Sequence, residues 1–437
     1  MSRIHVIGAG LAGLSAAIAA TAAGRPVTLY ESTAAGGGRC RSYFDTELGI
    51  RLDNGNHLLL SGNKSAFAYI AAIGARDLMT GPRNPVFPFV DLKTGREWTL
   101  RPNRGRFPWW LLFAGRRVPK ASMREHLDIR QLGREWDDTV MTETMRHSSL
   151  YWLLLEPLSV AALNTRPHEA LACLFGAVLR ETLLKGGKAC LPRLPKEGLS
   201  EALVDPAIAT LRNRGADIRF NRRITGLTIE NARVTALETT DEPVPVEPAD
   251  SVILAVPPWV AGELVPGLTV PNAFESILNV HFKTVVKADP DIREAGFLGL
   301  VNGTAEWIFL KPDHLSVTVS AANQLIDRSA EDLANIVWRN VAKALGLEGA
   351  RETEMPPYRV IKERRATIVA NVVQEERRPG ARTAFDNLTL AGDWTDTRLP
   401  GTIEGAVRSG VTAVRMILSP PKDGERRRKK KLSPNDN

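Results

Sequence analysis

The sequence predicts an α/β protein in which a Rossmann-like dinucleotide-binding domain is built from separated stretches, with an α+β substrate domain interleaved between them. Three observations predict it. Residues 4–13 read as a short β-rich run entering a Gly-x-Gly-x-x-Gly turn, a buried strand ending in Gly392-Asp393 recurs near the other end, and 437 residues exceed what one hydrophobic core comfortably holds.

The first unit starts with the apolar run Ile4 to Ile7 and passes into Gly8-Ala9-Gly10-Leu11-Ala12-Gly13 and an Ala-rich, helix-forming stretch to Ala23. Gly8 permits the tight turn, Gly10 lets main chain approach a pyrophosphate, and Gly13 lets the helix pack close to the strand; the phosphates then meet the free N–H groups of Leu11 and Ala12. Gly24-Arg25-Pro26 ends the helix. A second strand, Val27 to Tyr30, delivers Glu31 and Ser32 to where a ribose hydroxyl needs an acceptor. Glu31 would repel a ribose 2′-phosphate, so FAD or NAD is favoured over NADP.

A second glycine-rich loop follows, Gly36-Gly37-Gly38-Arg39-Cys40-Arg41-Ser42, and then the turn Asp53-Asn54-Gly55-Asn56-His57. Residues 216–224 and 250–258 read as two further strand regions. Near the C-terminus, Leu388 to Trp394 is a strand ending in Gly-Asp, and Leu399-Pro400-Gly401-Thr402-Ile403-Glu404-Gly405 opens a helix.

The combination of GxGxxG, Glu31 and GGRxxS resembles the flavin amine oxidase and phytoene desaturase superfamily. The resemblance implies FAD as cofactor, with Gly38, Arg39 and Arg41 over its pyrophosphate, and Asn56 and His57 close to the flavin. It also implies main-chain contact from Ile224 to adenine, and Gly392 and Asp393 near the ribityl and phosphate groups. The last helix would aim the N–H groups of Thr402, Ile403 and Glu404 at the flavin, favouring negative charge on its reduced ring. Members with covalent flavin use a cysteine near the C-terminal motif; this chain has none after Cys190, so the FAD is expected to be non-covalent.

Within that superfamily the DNGNHLLL turn, the GDWT turn and LPGTIEGAVRSG resemble the hydroxysqualene dehydroxylases of bacterial hopanoid biosynthesis. Nothing in composition or spacing points to squalene; that substrate rests on the resemblance. The implied reaction is reductive: an allylic hydroxyl leaves as water and hydride from reduced FAD replaces it. An apolar channel excludes the water that would recapture the cation. The leaving hydroxide needs a proton, and His57, whose ordinary pKa is near neutrality, is the candidate catalytic acid, against a reading in which it only binds cofactor or caps an apolar helix that follows. Two alternatives stay open: a carotenoid-type desaturase or amine oxidase, which withdraws hydride, and a non-catalytic isoprenoid carrier.

The expected FAD domain is discontinuous, residues 1–75, 191–264 and 386–420; residues 76–190 and 265–385 form the substrate domain. Within the latter, Arg104 to Arg117 brackets Phe107-Pro108-Trp109-Trp110-Leu111-Leu112-Phe113 with arginines, which fits either a membrane headgroup interface or a buried helix with snorkelling arginines. Leu150 to Leu158 and Leu171 to Leu184 are apolar helical segments able to line a channel. Much of the net charge of +8 sits in Arg426 to Lys431, within a basic tail at 421–437 expected to be disordered or to rest on anionic lipid, so nucleic acid is not the expected partner. Cys40, Cys173 and Cys190 have no CxxC spacing, which argues against disulfides and against a metal site. No apolar run is long enough to span a bilayer and no signal peptide is evident; a cytoplasmic protein peripheral on the inner membrane face is expected. No second GxGxxG with strand and helix context offers an NADPH site, leaving a free reduced cofactor or a partner protein as electron donor.

Overall fold

Strands covered on both faces carry unbroken apolar runs, because no polar side chain has water to reach. The IHVI, VTLY, SVIL and LTL segments are mostly apolar, and the polar side chains buried in them, His5, Thr28 and Thr389, bond to protein partners. In a computed structural model, which describes residues 2–133, 138–144, 148–347 and 354–419, they form a five-stranded parallel sheet in the order Asp217–Arg219, Val27–Tyr30 (β2), Ile4–Ile7 (β1), Ser251–Leu254, Leu388–Leu390. Ile4 pairs with Val27 on one side and Ser251 on the other. Segments more than 200 residues apart thus lie side by side.

The helix after β1, Leu11–Ala22 (α1), packs against the C-terminal helix Ile403–Leu418. The two approach closely enough that Ser15 Oγ donates to Val407 O at 2.9 Å. A hairpin, Ile224–Glu230 with Arg233–Thr239, leaves the sheet just beyond Glu31. The chain is held there by Glu31 N–H to Arg219 O and Arg222 N–H to Glu31 O.

A second, seven-stranded sheet runs Tyr358–Ile368, Phe274–Phe282, Leu315–Val319, Trp307–Leu310, Phe297–Val301, Phe87–Asp91, Arg96–Leu100, antiparallel except between Phe297–Val301 and Phe87–Asp91. Period-two alternation sends Leu278, Val280, Phe282, Val317 and Val319 to one face, where Val337, Trp338 and Val341 of the helix Ala330–Ala344 cover them. The opposite face is divided. At one end Phe87, Phe89, Phe297, Trp307 and Phe309 join a cluster with Tyr151, Leu154 and Phe175 from helical residues 151–181. At the other end the same face carries Asn279, His281, Ser316 and Thr318, all buried.

The arginine-bracketed segment is not one helix. It forms two 3-10 turns, Trp109–Leu112 and Ala114–Arg116, in which Trp110 and Leu111 are buried while Phe107, Leu112 and Phe113 face solvent. The short apolar run after His57 is likewise a two-residue strand, Leu59–Leu60, paired with Arg193 and Pro192. Among the described residues no helix is long and apolar enough to cross a membrane. The basic tail at 421–437 lies outside the described residues.

Candidate functional site

The glycine turn after β1 is shaped by two steric demands. Gly8 has φ +104°, and a Cβ there would lie 2.5 Å from Ala255 O; a Cβ on Gly13 would lie 1.9 Å from Gly8 O. Only glycine permits the turn and the close helix that follows. No side chain caps the N-terminus of α1 at Gly10, where Leu11, Ala12 and Gly13 form the first turn, and a Cβ on Gly10 would meet nothing within 4 Å. The helix therefore presents free N–H groups to an open cradle.

Glu31, at the end of β2, accepts from Ala9 N–H at 2.9 Å through one carboxylate oxygen; the other accepts from Thr33 N–H at 2.9 Å and from Ser32 Oγ at 3.2 Å. Ile224, the adenine candidate, is buried with Ile7 and Tyr30 at the start of the hairpin just past Glu31.

The second glycine loop closes over this turn: Gly37 N–H bonds Ala9 O at 2.8 Å, Gly37 bridges Gly10, and Gly38 lies against Gly10. Arg39 leaves the loop toward the C-terminal motif, donating to Asp393 at 2.5 Å and to Ala366 O. Arg41 is exposed; its carbonyl accepts from Asn54 N–H. An FAD pyrophosphate fits this arrangement, since uncapped N–H groups and open space meet at Gly10, with the second glycine loop lying against it.

The Gly392-Asp393 turn is held from behind. Gly392 N–H bonds Ser409 Oγ at 2.8 Å, and the buried Arg378 donates to Asp393 O at 3.0 Å and Thr395 O at 2.7 Å. Thr402 caps the last helix through Gly405 N–H, and Ile403 packs into the core beside α1. The Glu404 side chain caps a helix other than its own. Its carboxylate turns away from the turn and accepts from Ser65 and Ala66 N–H at 3.0 and 2.8 Å, capping the helix Lys64–Ala72 (α2), and it pairs with Arg408 at 3.0 Å. A buried acid with two helix-terminal donors is satisfied as a cap.

Asn56 and His57 sit at the divided face of the large sheet. Asn56 Nδ2 donates to Ser316 Oγ at 2.7 Å and to Thr318 Oγ1 at 3.0 Å, leaving its buried Oδ1 without a protein donor. Asn279 bonds the same Thr318 and the carbonyl of Asn54. A Cβ on Gly55 would lie 3.8 Å from His57 Nε2 and 3.4 Å from Asn279 Nδ2, so imidazole and amide flank that glycine. Beneath them Lys311 pairs with Asp53 at 2.9 Å. Burial, helped by Arg39 and Lys311 and opposed by Asp53, lowers His57 to about 4, well away from the neutrality expected of a free imidazole. Burial would raise Asp53, but Lys311, Leu199 N–H and Ser42 prevail and hold it below the usual carboxylate range.

Sequence reasoning missed Asn279, Ser316 and Thr318, and also Arg378. One signal was available: in FESILNVHF the polar residues Asn279 and His281 are two apart on an otherwise buried strand, which places both on one face.

Comparison with known proteins agrees with this geometry. The family model for flavin containing amine oxidoreductases matches residues 11–289 and 300–418. The hydroxysqualene dehydroxylase of Sinorhizobium fredii is 43% identical over 417 residues, covering 95% of this chain and 98% of that protein. That of Rhodopseudomonas palustris is 44% identical over 420 residues, with 95% and 98% covered. The crystal structure of an oxidoreductase from Methanosarcina mazei superposes with TM-score 0.69 at 18% identity, covering 94% and 99% of the two chains, which supports the fold.

Proposed function

The chain belongs to the flavin containing amine oxidoreductase family and, within it, to the hydroxysqualene dehydroxylases, and from that premise we propose that it removes the allylic hydroxyl of hydroxysqualene to give squalene. It is an FAD-dependent oxidoreductase. The observation that carries the substrate reading is identity above 40%, across nearly the whole chain, to proteins of that name.

The divided face supports it. A long hydrocarbon with one hydroxyl needs apolar surroundings and a single polar anchor, and at that face the packed aromatic cluster of Phe89, Phe297, Trp307 and Phe309 adjoins Asn56, Ser316 and Thr318. Asn56 Oδ1, buried and lacking a protein donor, would accept the substrate O–H. FAD, when bound and reduced, supplies hydride. Gly10, Leu11, Ala12 and Gly13 at the head of α1, with Arg39, would hold its pyrophosphate; Glu31 and Ser32 its ribose; Ile224 its adenine; Gly392, Asp393, Thr402 and Ile403 the ribityl and flavin end. Glu404 would act there by its main chain, its carboxylate being engaged by α2.

Loss of hydroxide requires one proton per turnover. His57 would deliver it at an imidazole nitrogen, in a site whose aromatic wall keeps out bulk water. The apolar segments and basic tail also fit a peripheral position on a membrane, where the substrate dissolves.

The decisive experiment incubates anaerobically reduced holoenzyme with hydroxysqualene and follows squalene by mass spectrometry. Stoichiometric squalene with flavin reoxidation is expected. Oxidation of a polyene precursor by oxidised enzyme, with no squalene formed, would replace this reading with a desaturase.

A further inference from the structure

We propose that a basic pocket beside the exposed aromatic turn is a docking site for the phosphate headgroups of an anionic bilayer, with the aromatic turn entering the same membrane. The proposal rests on the reading of a peripheral membrane position and gives that reading a specific surface and ligand.

The pocket, of about 410 Å³, is walled by residues 61–64, 104–106 and 185–189. It gathers Lys64, Arg104, Arg106, Lys185 and Lys188, and no carboxylate is in its wall. Among the described residues none of these five cations forms an ion pair. The unneutralised field is felt outside the pocket: burial and the charge of Arg104 together lower the pKa of Arg193. Exposed cations gathered with no carboxylate among them make a positive patch that attracts anionic groups, most strongly at low salt.

The walls are held by main chain. Gly62 N–H bonds Ala189 O at 2.8 Å and Lys188 N–H bonds Arg104 O at 2.9 Å; Ser61 Oγ donates to Lys188 O at 2.6 Å. At Gly187 a Cβ would fall 2.2 Å from Asn103 O, so a side chain there would drive the walls apart.

The same segment continues into the aromatic turn. Buried Asn103 donates to Phe107 O at 3.0 Å and accepts from Trp110 N–H at 3.3 Å, joining pocket and turn into one unit. Phe107 is 77% exposed, Leu112 67%, Phe113 53% and Trp109 41%. Arg116 lies 5.0 Å over the Trp109 ring and 5.9 Å over Phe113. Large apolar side chains left in water cost free energy unless something covers them. Cations interleaved with Trp and Phe match the acyl and headgroup layers of a bilayer, whereas a folded protein partner would have to bring its own cluster of acids.

The test measures co-sedimentation of the full-length holoenzyme with vesicles of pure phosphatidylcholine, or with 30% phosphatidylglycerol as about a third of the lipid. The charge variant is R106Q/K185Q/K188Q and the insertion variant is L112Q/F113S; FAD content and melting temperature confirm folding of both. Because the tail is present throughout, differences between variants report on the pocket and the turn. The charge variant is expected to bind the anionic vesicles about a hundredfold more weakly, at about fivefold per charge, and to bind neutral vesicles as the parent does. The insertion variant should weaken on both, with little dependence on salt. If the parent binds vesicles and the charge variant binds them equally, the pocket proposal is overturned while the membrane reading stands. If the parent binds no vesicle at all, both fall, and saturable binding of inorganic diphosphate to that parent would identify the pocket as a site for a soluble phosphate ligand.

Discussion

His57 concentrates the chemistry of the site in one titration. With its pKa lowered to about 4 the imidazole is neutral at physiological pH, so the protonated form able to give up a proton becomes common only on acidification. If that form protonates the leaving hydroxyl, single-turnover rates on reduced enzyme should rise as pH falls from 7 toward 4, without the plateau below 6.5 that an unperturbed histidine would give. His57→Ala should abolish this slope and cut turnover well beyond any loss of FAD content; a parallel fall in both would make His57 a cofactor residue only. Arg39 has a different readout. Its guanidinium reaches Asp393 and the Ala366 carbonyl from the loop that lies against Gly10, and losing a charged hydrogen bond costs about 1.5–3 kcal/mol. Arg39→Ala should therefore weaken FAD binding about 10–100-fold in a flavin-fluorescence titration and, because it leaves the buried Asp393 carboxylate without its guanidinium, should also lower the melting temperature of the apoprotein.

At the scale of elements, Glu404 separates a structural role from a cofactor role. The sequence placed it correctly at the head of the last helix, yet its carboxylate serves a different helix, bonding the first turn of α2 more than 330 residues away. Glu404→Gln keeps the shape but removes a charge that meets two helix-terminal N–H groups and Arg408. It should cost about 1–3 kcal/mol of stability and leave FAD affinity within about twofold; a large loss of FAD affinity without a change in melting would put the carboxylate in the flavin site after all. The contrast shows what could be read in advance. The β1 turn, α1, β2 and Glu31 were legible because a local steric code, glycine where a Cβ cannot fit, specifies them within 30 residues. The node of Asn56, Asn279, Ser316 and Thr318 was not, since it exists only after three distant segments pair and alternation turns their polar residues inward. The arginine-bracketed turn was half legible: its composition left a headgroup interface and a buried helix equally open, and Trp110 and Leu111 going in while Phe107, Leu112 and Phe113 go out follows from 3-10 geometry that no helical period describes.

For the molecule as a whole, buried histidines couple folding to pH. His5, His57, His126, His281 and His314 all have lowered pKa values with burial as the leading cause, His281 to about 3. His281 is fully buried, and it faces His314, Lys311 and Asp53. The unfolded chain takes up protons near 6.5 that the folded chain refuses, so these groups leave stability intact above 6.5 and erode it as pH falls below that, for His57 down to about 4 and for His281 down to about 3. Each contributes a slope of up to about 1.4 kcal/mol per pH unit there. Glu306 works the other way: burial raises it to about 7, so between its ordinary value and 7 the folded chain keeps a proton that the unfolded chain loses, offsetting part of the slope. Histidines outnumber it, and the urea midpoint should fall steadily from pH 7 to pH 5. Replacing His281 by Phe removes one of the refusing sites and fills the space with an apolar ring among Asn279, Ser316 and the His314 imidazole. The variant should lose stability at pH 7, if it changes at all, but show a visibly shallower decline on acidification. A decline as steep as the parent's would mean that His281 takes up its proton as readily in the folded chain as in the unfolded one, or that acid unfolding begins elsewhere.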